Sequence, residues 1–330
     1  RKFIKDPELL KFIDIECFCW SVMPAIKTPM INAGMVFTDR HVGGINYPKG
    51  GVGQIAEKLV KGLETLGSNI RYRANVKEIL IKNNNAIGVK LKNGEELFAK
   101  TIISNSTRWD TFGLNNNEGL VKREFVHKKE KKWSKTYKAS PSFVSIHLGV
   151  GKNIINPDFN CHHIIVDKWE ELENEKGVIF ISIPTLLDKN LAPPDKHIIH
   201  AFTPSSINEW ENLSKREYLS KKEDYFEFLI NKISTILPNI QDYIEHKEIG
   251  TPKTHKRFLN RFEGSYGPIP NKKLLGLLPM PFNTTNINNL YCVGDSCFPG
   301  QGLNAVAFSG YACAHKVGSK LKINSSHLPE

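Results

Sequence analysis

No run of about eighteen consecutive apolar residues occurs in the 330-residue chain, so no segment has the length and apolarity of a membrane-crossing helix. The opening stretch RKFIKDPELL has neither an initiator methionine nor a signal-type apolar region. It reads like the middle of a helix, and the chain is expected to be a fragment of a longer protein. Of the six cysteines (17, 19, 161, 292, 297 and 313), no two form C-x-x-C, and the spacings match neither a zinc site nor a disulfide scaffold. A reducing compartment fits that usage. His162 and His163 follow Cys161, but neighbours on a strand point to opposite faces, so no metal site is expected. Acidic residues are in deficit, 34 against 45 basic ones, a net charge of +11. The basic runs are broken by Glu130, Glu223 and Asp224 and never interleave with aromatics. Nucleic acid is therefore not expected as a partner. The net charge suits an anionic membrane surface. Internal repeats and low-complexity tracts are also missing.

What is present is a globular composition, 40% hydrophobic and 24% charged, long enough for more than one lobe. Residues 1–30 alternate short helical patterns with Pro24 and Pro29, with Phe12, Ile13, Phe18 and Trp20 as core candidates. The second half of the stretch Gly43–Gly67 spaces Ile55, Leu59, Leu63 and Leu66 as a helix, with Gly67 as its C-cap. Gly50, Gly51 and Gly53 let the helix start approach something closely. Residues 70–104 then change period to a β-meander with turns at Asn83–Asn85 and Asn93-Gly94, ending in a buried strand at Thr101–Ser104. PSFVSIHLGV, CHHIIVD, GVIFISIPT and KHIIHAFTP read as strands without intervening helices, hence an antiparallel or mixed sheet in a second lobe. A helix is expected from Ser214 to Ile236, with Phe226, Leu229, Ile230 and Ile233 facing the core. Residues 251–283, rich in Pro and Gly, are expected to be ordered loop.

The chemistry concentrates in NLYCVGDSCFPGQGLNAVAFSGYACAHKVGSKL. Leu290–Val293 is a short apolar strand, Gly294-Asp295 ends it, Ser296–Gly302 is a Gly/Pro turn, and Leu303 opens a helix rich in small residues. A helix start exposes N–H donors and the positive end of the helix dipole. In a flavin enzyme these face the pyrimidine carbonyl of the isoalloxazine, while Asp295 accepts from ribityl hydroxyls. Taken alone, Gly-Asp before a glycine turn merely caps a strand. The conjunction of Gly-Asp, Pro299-Gly300, Gly302 and the small-residue helix favours the flavin.

GDSCFPGQGLNAVAFSG resembles the C-terminal signature of the phytoene desaturase and amine oxidase-like flavoproteins, and within them the carotenoid cis–trans isomerases. KTPMINAGMVFTDRHVGGINYPKGGVG, KTIISNSTRWDTFG, SPSFVSIHLGV, GTPKTHKRF and MPFNTTNINNLYCVGDSCFPGQG carry the likeness along almost the whole chain. The resemblance implies an α/β (α+β) fold. Its parts are a Rossmann-type FAD-binding domain, here without its N-terminal βαβ, and a substrate lobe with a mixed or antiparallel sheet and helices. The implied division is a substrate-lobe segment over 1–48, a helix, meander and core strand of the FAD domain over 49–106, a substrate domain over 107–285, and the FAD-binding strand–turn–helix over 286–330. The resemblance carries cofactor contacts onto Val76 at the adenine, Asp295 near the ribityl and phosphate, Gly302, Leu303 and Asn304 under the flavin ring, and onto Gly294, Pro299 and Gly300 of the same turn. The family's G-x-G-x-x-G fingerprint is absent, so the pyrophosphate site cannot be built from this chain.

The implied activity is isomerisation of poly-cis lycopene to all-trans lycopene by reduced FAD, without net oxidation, on a long apolar polyene drawn from a membrane. The implied location is a plastid membrane, or the cyanobacterial cytoplasm at the thylakoid periphery. A carotenoid desaturase, or an inactive fragment that binds lipid or a partner, remain as alternatives. The sequence leaves catalytic residues and oligomeric state unassigned. Phe298 and Phe308 are candidates for a substrate tunnel or for core, and Arg40 and His41 for charge near the site or a structural ion pair.

Overall fold

The computed structural model describes residues 4–115, 118–271 and 280–323. Its helices are α1 (Pro7–Ser21), α2 (Met30–Gly43), α3 (Gly53–Thr65), α4 (Arg108–Phe112), α5 (Lys128–Thr136), α6 (Lys215–Ile233), α7 (Pro252–Leu259) and α8 (Leu303–Lys320). The first strands are β1 (Val76–Lys82), β2 (Asn85–Leu91), β3 (Glu96–Phe98), β4 (Ile102–Ser104), β5 (Tyr137–Ala139) and β6 (Ser142–Gly151). The later ones are β7 (His162–Ile165), β8 (Ile179–Ser182), β9 (Lys196–Ser205), β10 (Ile244–Gly250), β11 (Pro268–Pro270) and β12 (Leu290–Cys292). The chain divides into two compact units, one of Arg1–His41, Arg73–Ser140 and Asn260–Glu330, the other of Val42–Tyr72 and Pro141–Leu259.

In the first unit, α1 starts where the Asp6 carboxylate accepts the N–H groups of Glu8 and Leu9 at 2.9 and 3.0 Å, with Pro7 in the first turn. Cys17, Phe18 and Trp20 are buried, but Phe12 is 55% exposed, which corrects its reading as core. Phe12 and Cys19 lie two turns apart on one face of α1, and both face out. The helix α2 occupies a stretch where the sequence pattern predicted no element. The antiparallel sheet β1-β2-β3 turns at Asn83 and Asn84, both at positive φ, and again at Gly94. Strands β4 and β12 form the one parallel ladder among the described residues, Leu290 opposite Ile102 and Cys292 opposite Ser104. Around them pack Trp109, Phe112, Trp133, Tyr137, Ile287 and Leu290. The Trp109 ring lies 4.8 Å from that of Trp133 and 5.2 Å from that of Phe262.

In the second unit the strand order is β10-β6-β9-β8-β7 and every pairing is antiparallel, which sharpens the expected antiparallel or mixed sheet. Val144, Ile146, Leu148 and Val150 alternate onto one face of β6 and pack with Tyr225, Phe226, Leu229, Ile230 and Ile233 of α6. Helix α6 begins at Ser214 as the sequence predicts, and a reciprocal bond with Glu217 closes a capping box. Helix α3 forms with its glycine stop: Gly67 sits at φ 77°, and the Ser68 N–H reaches the Leu63 carbonyl at 2.9 Å. Ile55, Leu59, Leu63 and Leu66 are all exposed.

Two elements correct the expected 251–283 loop, α7 in the second unit and β11 in the first. Pro252 sits at the start of α7, where its missing N–H has no cost, and the Thr251 and Thr254 hydroxyls exchange bonds with each other's N–H groups at 3.4 and 3.1 Å. Residues 272–279 of that span lie outside the described residues.

Candidate functional site

The strand–turn–helix that carries the sequence signature is built from β12, residues 293–302 and α8. All of β12 is buried, and the Val293 N–H continues its ladder to the Ser104 carbonyl at 2.9 Å. The chain then reverses at Gly294, whose φ of 94° suits glycine and whose added Cβ would stand 2.6 Å from Asn105 Oδ1. Ser309, one turn and more into α8, accepts the Gly294 N–H on its Oγ at 3.2 Å. Ala305, Ser309 and Cys313 share the buried face of α8, so small side chains bring the helix close to its support.

The turn itself has three side-chain anchors. Arg261 pairs with the Asp295 carboxylate, whose other oxygen accepts from Ser296 Oγ at 3.3 Å. Gln301 Nε2 donates to the Pro268 carbonyl at 2.9 Å. Arg108 Nη1 donates to the Cys297 sulfur at 3.4 Å, while its Nε and Nη2 form a two-pronged 2.8 Å grip on Glu130. Burial opposes the Arg108 charge, but the hydrogen bonds to Glu130 outweigh it and its pKa is raised. Burial pushes the Cys297 thiol up to about 11, and the fully buried Cys292 is raised as well. Both thiols are therefore protonated at neutral pH and inert as nucleophiles.

The structure gathers Gly294, Asp295, Pro299, Gly300, Gly302, Leu303 and Asn304 along this turn and helix start. Val76 stands apart at the first position of β1, half-buried, opposite Leu91. Asp295 is 8% exposed and already engaged by Arg261, a partner the sequence pattern did not reveal because it lies in the Pro/Gly-rich stretch read as loop. Arg108, Glu130, Gln301, Asn283 and Ser309 were likewise not legible as site residues; each acts through a long-range bond that no local spacing records. Phe298 packs between Phe282 and Phe308, with ring centroids 5.4 and 6.5 Å away, and Phe282, Phe308 and Leu303 are exposed. The side chains of Arg40 and His41 lie outside the described residues. His162 and His163 do face opposite ways, the first to Ser182 Oγ and the second to the Asn160 carbonyl, each at 2.9 Å.

Two features of the turn suit a flavin ring. Gly302 is the N-cap of α8 and offers no side chain to its first turn; a Cβ added there would meet nothing within 4 Å. Gln301 Oε1, next to it, is buried with no hydrogen-bond partner. The open helix start favours an electron-rich group, and the buried amide oxygen beside it can accept an N–H from the same ring.

No protein-family model matches the chain. Over 323 residues it is 56% identical to "Prolycopene isomerase, chloroplastic" of Daucus carota, a match covering 97% of this chain and 52% of that protein. The protein of the same name from Arabidopsis thaliana is 55% identical, with coverage of 97% and 53%. A phytoene desaturase (neurosporene-forming) of Cereibacter sphaeroides is 27% identical over 285 residues, 82% of this chain and 53% of that protein. Among solved structures, an oxidoreductase from Methanosarcina mazei superposes with a TM-score of 0.65 at 19% identity, covering 95% of this chain and 66% of that one, a likeness of fold. The chain thus spans about half the length of the prolycopene isomerases it matches, and over that half it is similar to them at 55–57% identity.

Proposed function

We propose that this chain forms the flavin-ring and substrate part of an FAD-dependent carotenoid isomerase that converts poly-cis lycopene to all-trans lycopene. Its 55–57% identity to prolycopene isomerases supports the reaction class. The observation that carries the reading to residues is the open, side-chain-free start of α8 at Gly302, flanked by the unpaired Gln301 Oε1 and by exposed aromatics.

Bound in its reduced form, FAD would lend electron density to the polyene and lower the bond order that resists rotation. The chain's own residues bind, orient and exclude water. Gly302, Leu303 and Asn304 would hold the pyrimidine edge. Gly294, Asp295, Pro299 and Gly300 would hold the ribityl chain, with Arg261 fixing the Asp295 carboxylate. Val76 would contact the adenine. Phe298, Phe308, Phe282 and Leu303 would lay apolar surface against the polyene and keep water from it. This division by role, flavin residues over 49–106 and 286–330 and substrate residues over 1–48 and 107–285, cuts across the two compact units. The pyrophosphate end of the cofactor has no G-x-G-x-x-G turn here and would be held by residues other than these. The names of the relatives support a plastid location, and the apolar substrate supports contact with a membrane surface.

The test has two arms. FAD added to the purified chain is followed by its visible absorbance, which shifts on binding at α8. Poly-cis lycopene is then supplied with flavin under reducing conditions, and the products are separated by chromatography. All-trans lycopene with no added double bond supports the isomerase. A product with one more double bond, or a need for stoichiometric oxidant, sinks it in favour of a desaturase. A chain that takes up no FAD supports the reading of an inactive fragment.

A further inference from the structure

Arg108 and Glu130 form a buried ion pair with 2% and 5% exposure. A pair of this kind loses most of its Coulombic gain to desolvation, and apolar residues of the same volume commonly serve stability as well or better. Its presence calls for a reason other than stability. Glu130 occupies two of the guanidinium's faces, and the remaining nitrogen points to one place, the Cys297 sulfur at 3.4 Å. Cys297 is fully buried and lies midway along the turn that leads into α8. That turn contains Gly300 and Gly302 at positive φ, so its backbone has little conformational preference of its own. The other anchors hold its two ends, Arg261 at Asp295 and Gln301 at Pro268. Between them the Phe298 N–H is held by the Pro281 carbonyl at 2.8 Å. Arg108 brings a side-chain contact from α4 into the middle of the turn, at Cys297.

We propose that Arg108 is a positioning residue. Glu130 orients its guanidinium, the guanidinium holds the Cys297 sulfur, and the sulfur fixes where the turn delivers the N–H donors at the start of α8. The planar fork is what makes this possible, because a lysine in its place would offer a point charge without a fixed third direction. The sulfur serves as acceptor only, so the thiol stays protonated and no redox step is involved. The inference deepens the flavin reading and rests on it for its consequence, but the tether itself is a property of the chain without cofactor.

The experiment separates the two. Amide hydrogen exchange across residues 294–304 is measured on the chain without flavin, for the wild type, C297V, C297S and R108K. Valine fills the space without accepting a hydrogen bond, whereas serine restores an acceptor. C297V and R108K should raise exchange in 294–304 about tenfold, an opening free-energy change of about 1.4 kcal/mol, and leave the amides of α6 unchanged. C297S should stay close to wild type. The same variants loaded with FAD should show a displaced visible flavin spectrum for C297V and the wild-type spectrum for C297S. Unchanged exchange in C297V overturns the proposal, and so does equal loosening in C297S and C297V, which would mean that packing and not the hydrogen bond matters. If R108K does not fold, the cysteine pair alone decides. A wild type that binds no flavin defeats the cofactor reading, and the exchange data still decide the tether.

Discussion

Asn283 and Ser309 are joined twice: the Asn283 Nδ2 donates to both the Oγ and the main-chain carbonyl of Ser309, each at 3.2 Å. The same nitrogen reaches the Cys292 carbonyl at 3.0 Å, so one amide ties the end of β12 to the middle of α8. Asn283→Leu leaves these buried carbonyls without their donor. It should lower the stability of the first unit by about 2 kcal/mol. Urea unfolding followed by the fluorescence of Trp109 and Trp133 measures it, and an unchanged midpoint would show that the clamp is idle.

Gly294→Ala attacks the same junction from the backbone. An alanine there must hold φ near 94° and place its Cβ 2.6 Å from Asn105 Oδ1. Strain and clash together should cost about 2–4 kcal/mol. The double variant Gly294→Ala/Asn105→Gly removes the clash and keeps the strain. It should recover part of the loss, and a full recovery would show that the φ angle costs nothing.

The Arg108–Glu130 pair makes an asymmetric prediction. Glu130→Ala strands a buried guanidinium and should cost about 3–5 kcal/mol. Arg108→Met/Glu130→Met removes both charges and should cost far less than Glu130→Ala alone. Equal losses in a denaturation series would contradict the account of the pair as a poor contributor to stability.

Histidines set the pH response of the second unit. The pKa values of His147, His200 and His255 are all lowered, first of all by burial. In the unfolded chain they titrate near the ordinary value of about 6.5. Above that pH all are neutral in both states and the fold is not penalised. As the pH falls through that value the unfolded chain takes up protons that the folded one resists, so stability declines toward the lower folded pKa. The urea midpoint should therefore fall between about pH 7 and about pH 5. His200→Gln should flatten the slope, and an unaltered slope would argue against it.

Local chemistry was legible in the sequence wherever a residue acts on its near neighbours. Ser214 at the start of α6, Gly67 after α3, and the Asn83 and Gly94 turns all stand where the sequence placed them. The strand read in PSFVSIHLGV forms as β6, with Val144, Ile146, Leu148 and Val150 in the core. The signal failed where a long-range partner decides. Strand β10 reads as a polar stretch because Glu245, His246, Lys247 and Glu248 are exposed, and only its pairing with β6 makes it a strand. Helix α7 hides behind Pro252, a residue that breaks a helix from within and starts one from its end. At the site, the glycine turn and small-residue helix were visible, whereas Arg108, Arg261 and Asn283 reach it from distant segments.

The same polar stretch has a consequence for how copies of the chain behave at high concentration. β10 forms one border of its sheet, where unpaired backbone groups invite another strand to add on. Its exposed Glu245, His246, Lys247 and Glu248 make that border a poor template, since an incoming strand would have to strip water from charges along its length. Lys196 and Glu223 pair with Glu245 and Lys247 and hold them in place. The border thus works against edge-to-edge pairing, and replacing its charged residues with threonine or valine should raise the tendency of copies to aggregate.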